Sequence, residues 1–159
     1  MISYSLQGKK VLVPRGSKNA KSFSELVTSL GGIPVEIPLL SFRPIQDNPI
    51  LSRIMSKLYT YNWIIFTSNV TVETFFSFIN HQEKLSIQRI AVIGEKTEAV
   101  LRKKGASVDF VPTKYVAEAF VEEFLPLVKK GDKVLIPKGS LARDYIAASL
   151  REKEVMVEE

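Results

Sequence analysis

Short apolar runs alternate with amphipathic stretches from one end of this chain to the other. Val11-Leu-Val13, Trp63-Ile-Ile-Phe66, Ile90-Ala-Val-Ile93 and Val134-Leu-Ile136 are apolar at every position, as strands buried on both faces are. Further strands are predicted over 33–40, where Pro34 and Pro38 suit an edge, and over 108–111 and 155–157. Between them the spacing predicts helices over 18–30, 50–58, 70–79, 96–104, 116–128 and 141–151. In the first of these Phe23, Leu26, Val27 and Leu30 share one face, and Gly31-Gly32 stops the helix, as Gly105 stops the fourth. Strand alternating with helix over short connections predicts parallel βαβ units, hence an α/β fold with a parallel doubly wound sheet.

The composition can support such a core. The chain has 159 residues, 45% hydrophobic and 9% aromatic, about one domain's worth and too apolar for dominant disorder. It has no cysteine, which removes disulfides, thiolate metal sites and cysteine nucleophiles and suits a reducing compartment. Met1-Ile-Ser-Tyr-Ser-Leu6 has no charged region leading into an apolar one, and no apolar run approaches the roughly 20 residues of a membrane span. The expectation is a cytoplasmic protein with no membrane partner. The net charge of +5 is spread without a basic block. No nucleic-acid arm is indicated, and the charge suits a polyanionic small molecule equally well.

In parallel sheets ligands bind outside the carboxyl ends of the strands, so the loops to read are 14–17, 67–69, 94–97, 112–115 and 137–140. Neither a P-loop nor a Gly-x-Gly-x-x-Gly turn occurs. Lys10-Val-Leu-Val-Pro-Arg-Gly-Ser17 is echoed by Lys133-Val-Leu-Ile-Pro-Lys-Gly-Ser140. Arg15 and Lys138 thus place one cation beside a helix start, where backbone N–H groups can hold an anion; a tight strand-to-helix turn explains the same residues. Thr67, Ser68 and Asn69 all cap helices well, so capping accounts for at least one, and three adjacent polar groups exceed that need. Gly94-Glu-Lys-Thr97 repeats the arrangement one strand on: Gly94 permits close approach by a ligand, and Thr97 can cap. His81 is the sole histidine. It reads as a solvated loop residue on the side away from the carboxyl ends, which leaves a Ser-His-Asp triad or a histidine metal site without its member. Glu122-Glu123 and Arg102-Lys103-Lys104 read as solvated helix surface. No metal or cofactor is expected. The echo suggests two similar lobes: residues 1–40 open an incomplete one, 41–155 form a complete one, and 156–159 begin a return strand.

Taken in order, Lys10 to Ser17 with its helix and Gly31-Gly-Ile-Pro-Val-Glu-Ile-Pro38, then Trp63-Ile-Ile-Phe-Thr-Ser-Asn69, Ala91-Val-Ile-Gly-Glu-Lys-Thr97, Val111-Pro-Thr-Lys-Tyr-Val-Ala-Glu118 and Val134-Leu-Ile-Pro-Lys-Gly-Ser140 with Arg143 resemble the uroporphyrinogen-III synthase family. The resemblance spans nearly the whole chain. It implies a cytoplasmic hydro-lyase of tetrapyrrole (haem) synthesis. Such enzymes close hydroxymethylbilane, a linear polycarboxylate, into uroporphyrinogen III. Ring D is inverted, water is lost and no cofactor takes part. The substrate lies between two flavodoxin-like α/β lobes joined by extended strands. The resemblance also implies that Arg15, Thr67, Ser68, Asn69, Gly94, Thr97 and, through the echo, Lys138 contact substrate. Pro14 stands where threonine is commoner. Glu154 stands where the family has glycine, which implies a less regular turn before the last strand.

Family members are longer, and their second half supplies a tyrosine suited to proton transfer. That residue falls past Glu159, so no catalytic residue is assigned here. The chain reads as an N-terminal fragment, inactive alone, of an enzyme that is monomeric at full length. Residues 1–40 are expected to be mobile or covered by a second copy. The rival reading is a non-catalytic flavodoxin- or receiver-like module that binds a small anion or a protein. A receiver needs an acidic cluster where Thr67, Gly94 and Pro137 stand, and an FMN module would absorb as a flavin.

Overall fold

The computed structural model describes residues 5–14, 17–39, 41–45, 49–79 and 88–159, without the side chains of residues 17–19. They fall into two compact units, Met1–Pro44 and Ile45–Glu159. In the first, β1 (Lys10–Val13) and β2 (Ile33–Glu36) pair in parallel with Lys10 opposite Ile33, joined through α1 (Ser17–Ser29). The residues α1 buries are Ala20, Ser24 and Val27. Ser24 tolerates burial because its hydroxyl donates to Glu36 Oε1 at 2.6 Å. This stripe is offset from the one read in the sequence. Val27 is buried as expected, but Phe23, Leu26 and Leu30 remain 43%, 52% and 36% exposed. The helix packs on only two described strands, and the narrower 20–24–27 stripe is enough to cover them.

The second unit runs α2 (Pro49–Ser56), β3 (Trp63–Phe66), α3 (Asn69–Phe78), β4 (Arg89–Val92), α4 (Glu95–Lys103), α5 (Ala117–Phe124), β5 (Lys133–Leu135), α6 (Tyr145–Glu152) and β6 (Met156–Glu158). Among the described residues its four strands are all parallel, in the order β4-β3-β5-β6. Helices cover both faces, which is why β3 is buried at every residue. Trp63, Ile65, Val134 and Ile136 join Phe120, Phe124, Ile146 and Leu150 in one core layer, on the side of α5 and α6. Ile64, Phe66, Ile90 and Val92 join Val72, Phe75 and Leu101 in the other, beneath α3 and α4. Period-2 alternation along β3 therefore feeds two cores from one apolar run. Trp63 meets Phe124 edge-on at 4.8 Å, and Arg89 lies 4.4 Å over its ring.

Several boundaries differ from the sequence reading for identifiable reasons. No strand forms over 108–111. Asp109 Oδ2 takes the Ile90 amide at 2.8 Å, displacing the carbonyl a ladder would use, and only Phe110 bridges Ala91. The last helix begins at Tyr145 rather than 141, because Ala142 N donates to Gly139 O in a closed turn and Leu141 is 89% exposed. The helices expected over 50–58 and 116–128 give way to 3-10 turns at Leu58–Thr60 and Leu125–Leu127.

Three helices end in one capping pattern. After α1, Gly31 N donates to Thr28 O and Gly32 N to Val27 O, both at 2.9 Å. After α4, Gly105 N reaches Arg102 O at 3.0 Å and Ala106 N reaches Leu101 O at 3.1 Å. After α6, Glu154 N reaches Arg151 O at 2.9 Å and Val155 N reaches Leu150 O at 3.1 Å. This is the Schellman motif, which requires a left-handed residue. Gly31 and Gly105 supply it at φ +75° and +82°, and Glu154 at +58°. The turn at Glu154 is thus as regular as the others, contrary to expectation, and a glutamate carries the strained conformation.

Candidate functional site

From β3 the chain winds outward to β4, then crosses back to β5 on the other flank of β3. The winding reverses between β3 and β5, and the carboxyl-end crevice of a doubly wound sheet opens at such a point. The loops there are 67–69 and 136–140. The turn at 93–94 lies one strand out, because β4 pairs with β3, and the 111–116 loop follows the Phe110 bridge beyond it.

Ser68 is the N-cap of α3: its Oγ accepts from Thr71 N at 3.2 Å, while Thr71 Oγ1 donates back to Ser68 O at 2.7 Å. Capping therefore occupies one of the three polar groups. Thr67 is half-buried and Asn69 exposed. The first turn of α3 carries no acidic residue, so its partial positive charge is uncompensated. The start of α4 differs. Gly94 is its N-cap, but Glu95 and Glu98 stand in the first turn and repel an anion there; Glu98 also pairs with Arg102 at 2.6 Å. Thr97, at 6% exposure, faces the body of the unit, so its hydroxyl does not open onto the solvent side as Ser68 does. Gly94 makes room for a neighbour within the chain: a Cβ built there would lie 3.2 Å from both Cβ and Cγ of Tyr115.

Lys138 is held by its own chain, in ion pairs with Asp144 and, at 2.7 Å, with Glu159. Arg151 shares Glu159 at 2.8 Å. Hydrogen bonds to the two carboxylates push the Lys138 ammonium up, and its proximity holds Asp144 low. An incoming anion must compete with those carboxylates. Arg15 and His81 lie outside the described residues. Among the described residues no group of three or more His, Asp or Glu is placed to hold a metal ion. No helix there is long and apolar enough to cross a membrane.

One residue of this edge escaped the sequence reading. Tyr115 is 50% exposed, and the neighbouring Glu95 carboxylate raises its pKa above the ordinary value. Its loop is anchored from α5, where Glu123 accepts from Thr113 N at 3.0 Å and from Thr113 Oγ1 at 2.5 Å. The only signal in the sequence was its place in the loop 112–115.

A parallel sheet covered by helices on both faces, with polar loops gathered at its carboxyl edge, defines a doubly wound α/β protein. The uroporphyrinogen-III synthase HemD family model matches residues 21–159, and the chain belongs to that family. It is 29% identical over 154 residues to the porphyrin biosynthesis protein HemD of Ruminiclostridium josui, covering 94% of this chain and 31% of that one. It is 27% identical over 169 residues to the uroporphyrinogen-III synthase of Synechococcus elongatus, covering 100% of this chain and 61% of the relative. With the putative uroporphyrinogen-III synthase of Methanocaldococcus jannaschii it shares 31% over 144 residues, 89% of this chain and 58% of the other. Crystal structures of uroporphyrinogen III synthase from the extremely thermophilic bacterium Thermus thermophilus superpose with TM-scores of 0.59 for the wild type and 0.69 for a mutant, at 16% identity. They cover 94% of this chain and 59% and 60% of theirs, and they carry the fold alone. The chain thus spans about half to three-fifths of the curated synthases it matches.

Proposed function

We propose that the chain forms one wall of the site of a uroporphyrinogen-III synthase, the cytoplasmic hydro-lyase that closes hydroxymethylbilane to uroporphyrinogen III with ring D inverted and without a cofactor. The observation that carries this reading is the family match over residues 21–159, which takes in every loop of the carboxyl edge from 67 to 140. The ligand is then a small polycarboxylate, neither nucleic acid nor membrane, and the whole enzyme a monomer. Residues 1–40 open one lobe, 41–155 form the other, and 156–159 begin the strand that leads back. The half-exposed Leu12, Leu26 and Ile33 suit a lobe that further chain completes.

The chemistry asks little of this wall beyond orientation. The reactive azafulvene forms readily on loss of the hydroxyl, and the product depends on which ring closure lies nearest; holding one conformer is the catalytic contribution. Thr67, Ser68 and Asn69 offer hydroxyl, amide and helix N–H donors to carboxylates. Lys138 adds charge, as Arg15 does in its own unit by the echo, and the exposed Lys96 and Lys114 extend that of Lys138 along the rim. Gly94 and Thr97 shape the turn beside them. The test is to supply hydroxymethylbilane and separate the isomers. Spontaneous closure gives isomer I, so the chain alone is expected to match the blank. Fused to the remainder of the Synechococcus elongatus enzyme, it should yield isomer III. A folded fusion that yields only isomer I refutes the function, and isomer III from the chain alone refutes the one-wall reading.

A further inference from the structure

Gly94 and Tyr115 form a single unit. The glycine's missing side chain is filled by the tyrosine's Cβ and Cγ, 3.2 Å from where a Cβ would stand. What a ligand meets at that place is therefore not bare backbone but a ring. The ring is held from two directions: Gly94 lies beneath it, and Glu123 holds Thr113 two residues back. Yet it is half exposed, which is unusual for a ring so constrained. Fixing an aromatic side chain beforehand removes the ordering cost of stacking on it.

We propose that the exposed ring face of Tyr115 stacks on a pyrrole ring of the ligand, with Gly94 beneath it setting where the ring stands. The proposal rests on the reading of this edge as a tetrapyrrole site. It gives the edge two functions: α3 and the lysines take carboxylates, and Tyr115 takes a flat ring.

The probe is uroporphyrin III, a stable octacarboxylate of the same ring type, titrated into the purified chain. Butanetetracarboxylate, which has charge but no ring, runs beside it. Binding is read by NMR, with folding checked by the emission of Trp63. Uroporphyrin should move the Tyr115 ring protons upfield. Tyr115→Ala should weaken it about 3- to 10-fold, the range of an aromatic pair, and leave the tetracarboxylate unchanged. Tyr115→Phe should stay within about twofold of wild type, because the ring remains. Equal losses in the Ala and Phe variants overturn stacking in favour of the hydroxyl. Wild-type uroporphyrin binding that Tyr115→Ala leaves intact overturns the proposal but spares the tetrapyrrole reading. Failure of wild type to bind uroporphyrin overturns the proposal, while the isomer III test of the fusion decides the tetrapyrrole reading.

Discussion

Glu154→Gly should stabilise the second unit, and the size of the gain can be worked from the turn itself. A left-handed conformation costs an ordinary L residue roughly 1–2 kcal/mol, and glycine nearly nothing. Against that, glycine loosens the unfolded chain by about 0.4–1 kcal/mol. The variant also loses the Lys130–Glu154 ion pair, 2.6 Å long between side chains 74% and 64% exposed, a kind worth only some tenths of a kcal/mol. The net expectation is a gain of about 0.5 kcal/mol. Nature supplies the control in the same unit: Gly105 holds the equivalent position after α4 at φ +82° with nothing within 4 Å of a built Cβ. Gly105→Ala should therefore lose about 1 kcal/mol through conformation alone. Urea unfolding followed at Trp63, the sole tryptophan, reports both in one assay, with unchanged m-values. A neutral or destabilised Glu154→Gly beside a destabilised Gly105→Ala would refute the strain assigned to Glu154.

Three further outcomes follow from the same contacts. Ser68→Ala removes the α3 cap and should cost about 1 kcal/mol in that urea assay, whereas exposed Asn69→Ala should cost little. Tyr61 is buried and its hydroxyl donates to Glu158, so its proton is held above the ordinary range and Glu158 is held below its own. The unfolded tyrosine ionises near pH 10 and the unfolded glutamate near 4.3. Stability should therefore fall as pH rises past about 10, and again as it falls below about 4. Tyr61→Phe should reduce the alkaline loss and cost about 1.5–3 kcal/mol at neutral pH; an unchanged alkaline limb counts against the pair. Asp144→Asn frees Lys138 from one competing carboxylate and should tighten uroporphyrin binding several-fold at low salt, an effect that high salt erases.

The parts of the fold legible in the sequence were those where one rule acted alone. Trp63 to Phe66 is apolar at every position because both its faces are covered, and no other arrangement suits such a run. Elsewhere a side chain redirected the backbone. Asp109 replaced a strand's carbonyl at Ile90, and Asp144, drawn to Lys138, left α6 without a side-chain cap. At the site, Ser68 could be read from capping alone. Thr97 could not: the facing of a residue in the first turn of a helix depends on how that helix lies on the sheet. Nor could Tyr115, since nothing in a list of residues says that a glycine's empty side is filled from about twenty positions away.

The central place of β3 also dictates an order of assembly. Trp63 meets Arg89 after a single intervening helix, but meets Val134 only after two more helices and the crossing to the other flank. Closing the longer loop costs more entropy, so β3, α3 and β4 should consolidate first and β5 with β6 add later. The seam between β3 and β5, beneath loops 67–69 and 136–140, is then the last to form and the first to part. Amides of β5 and β6 should exchange with solvent sooner than those of β3 and β4, and a bound polycarboxylate should slow them most. In this lobe the ligand would act as the closing stitch of the sheet.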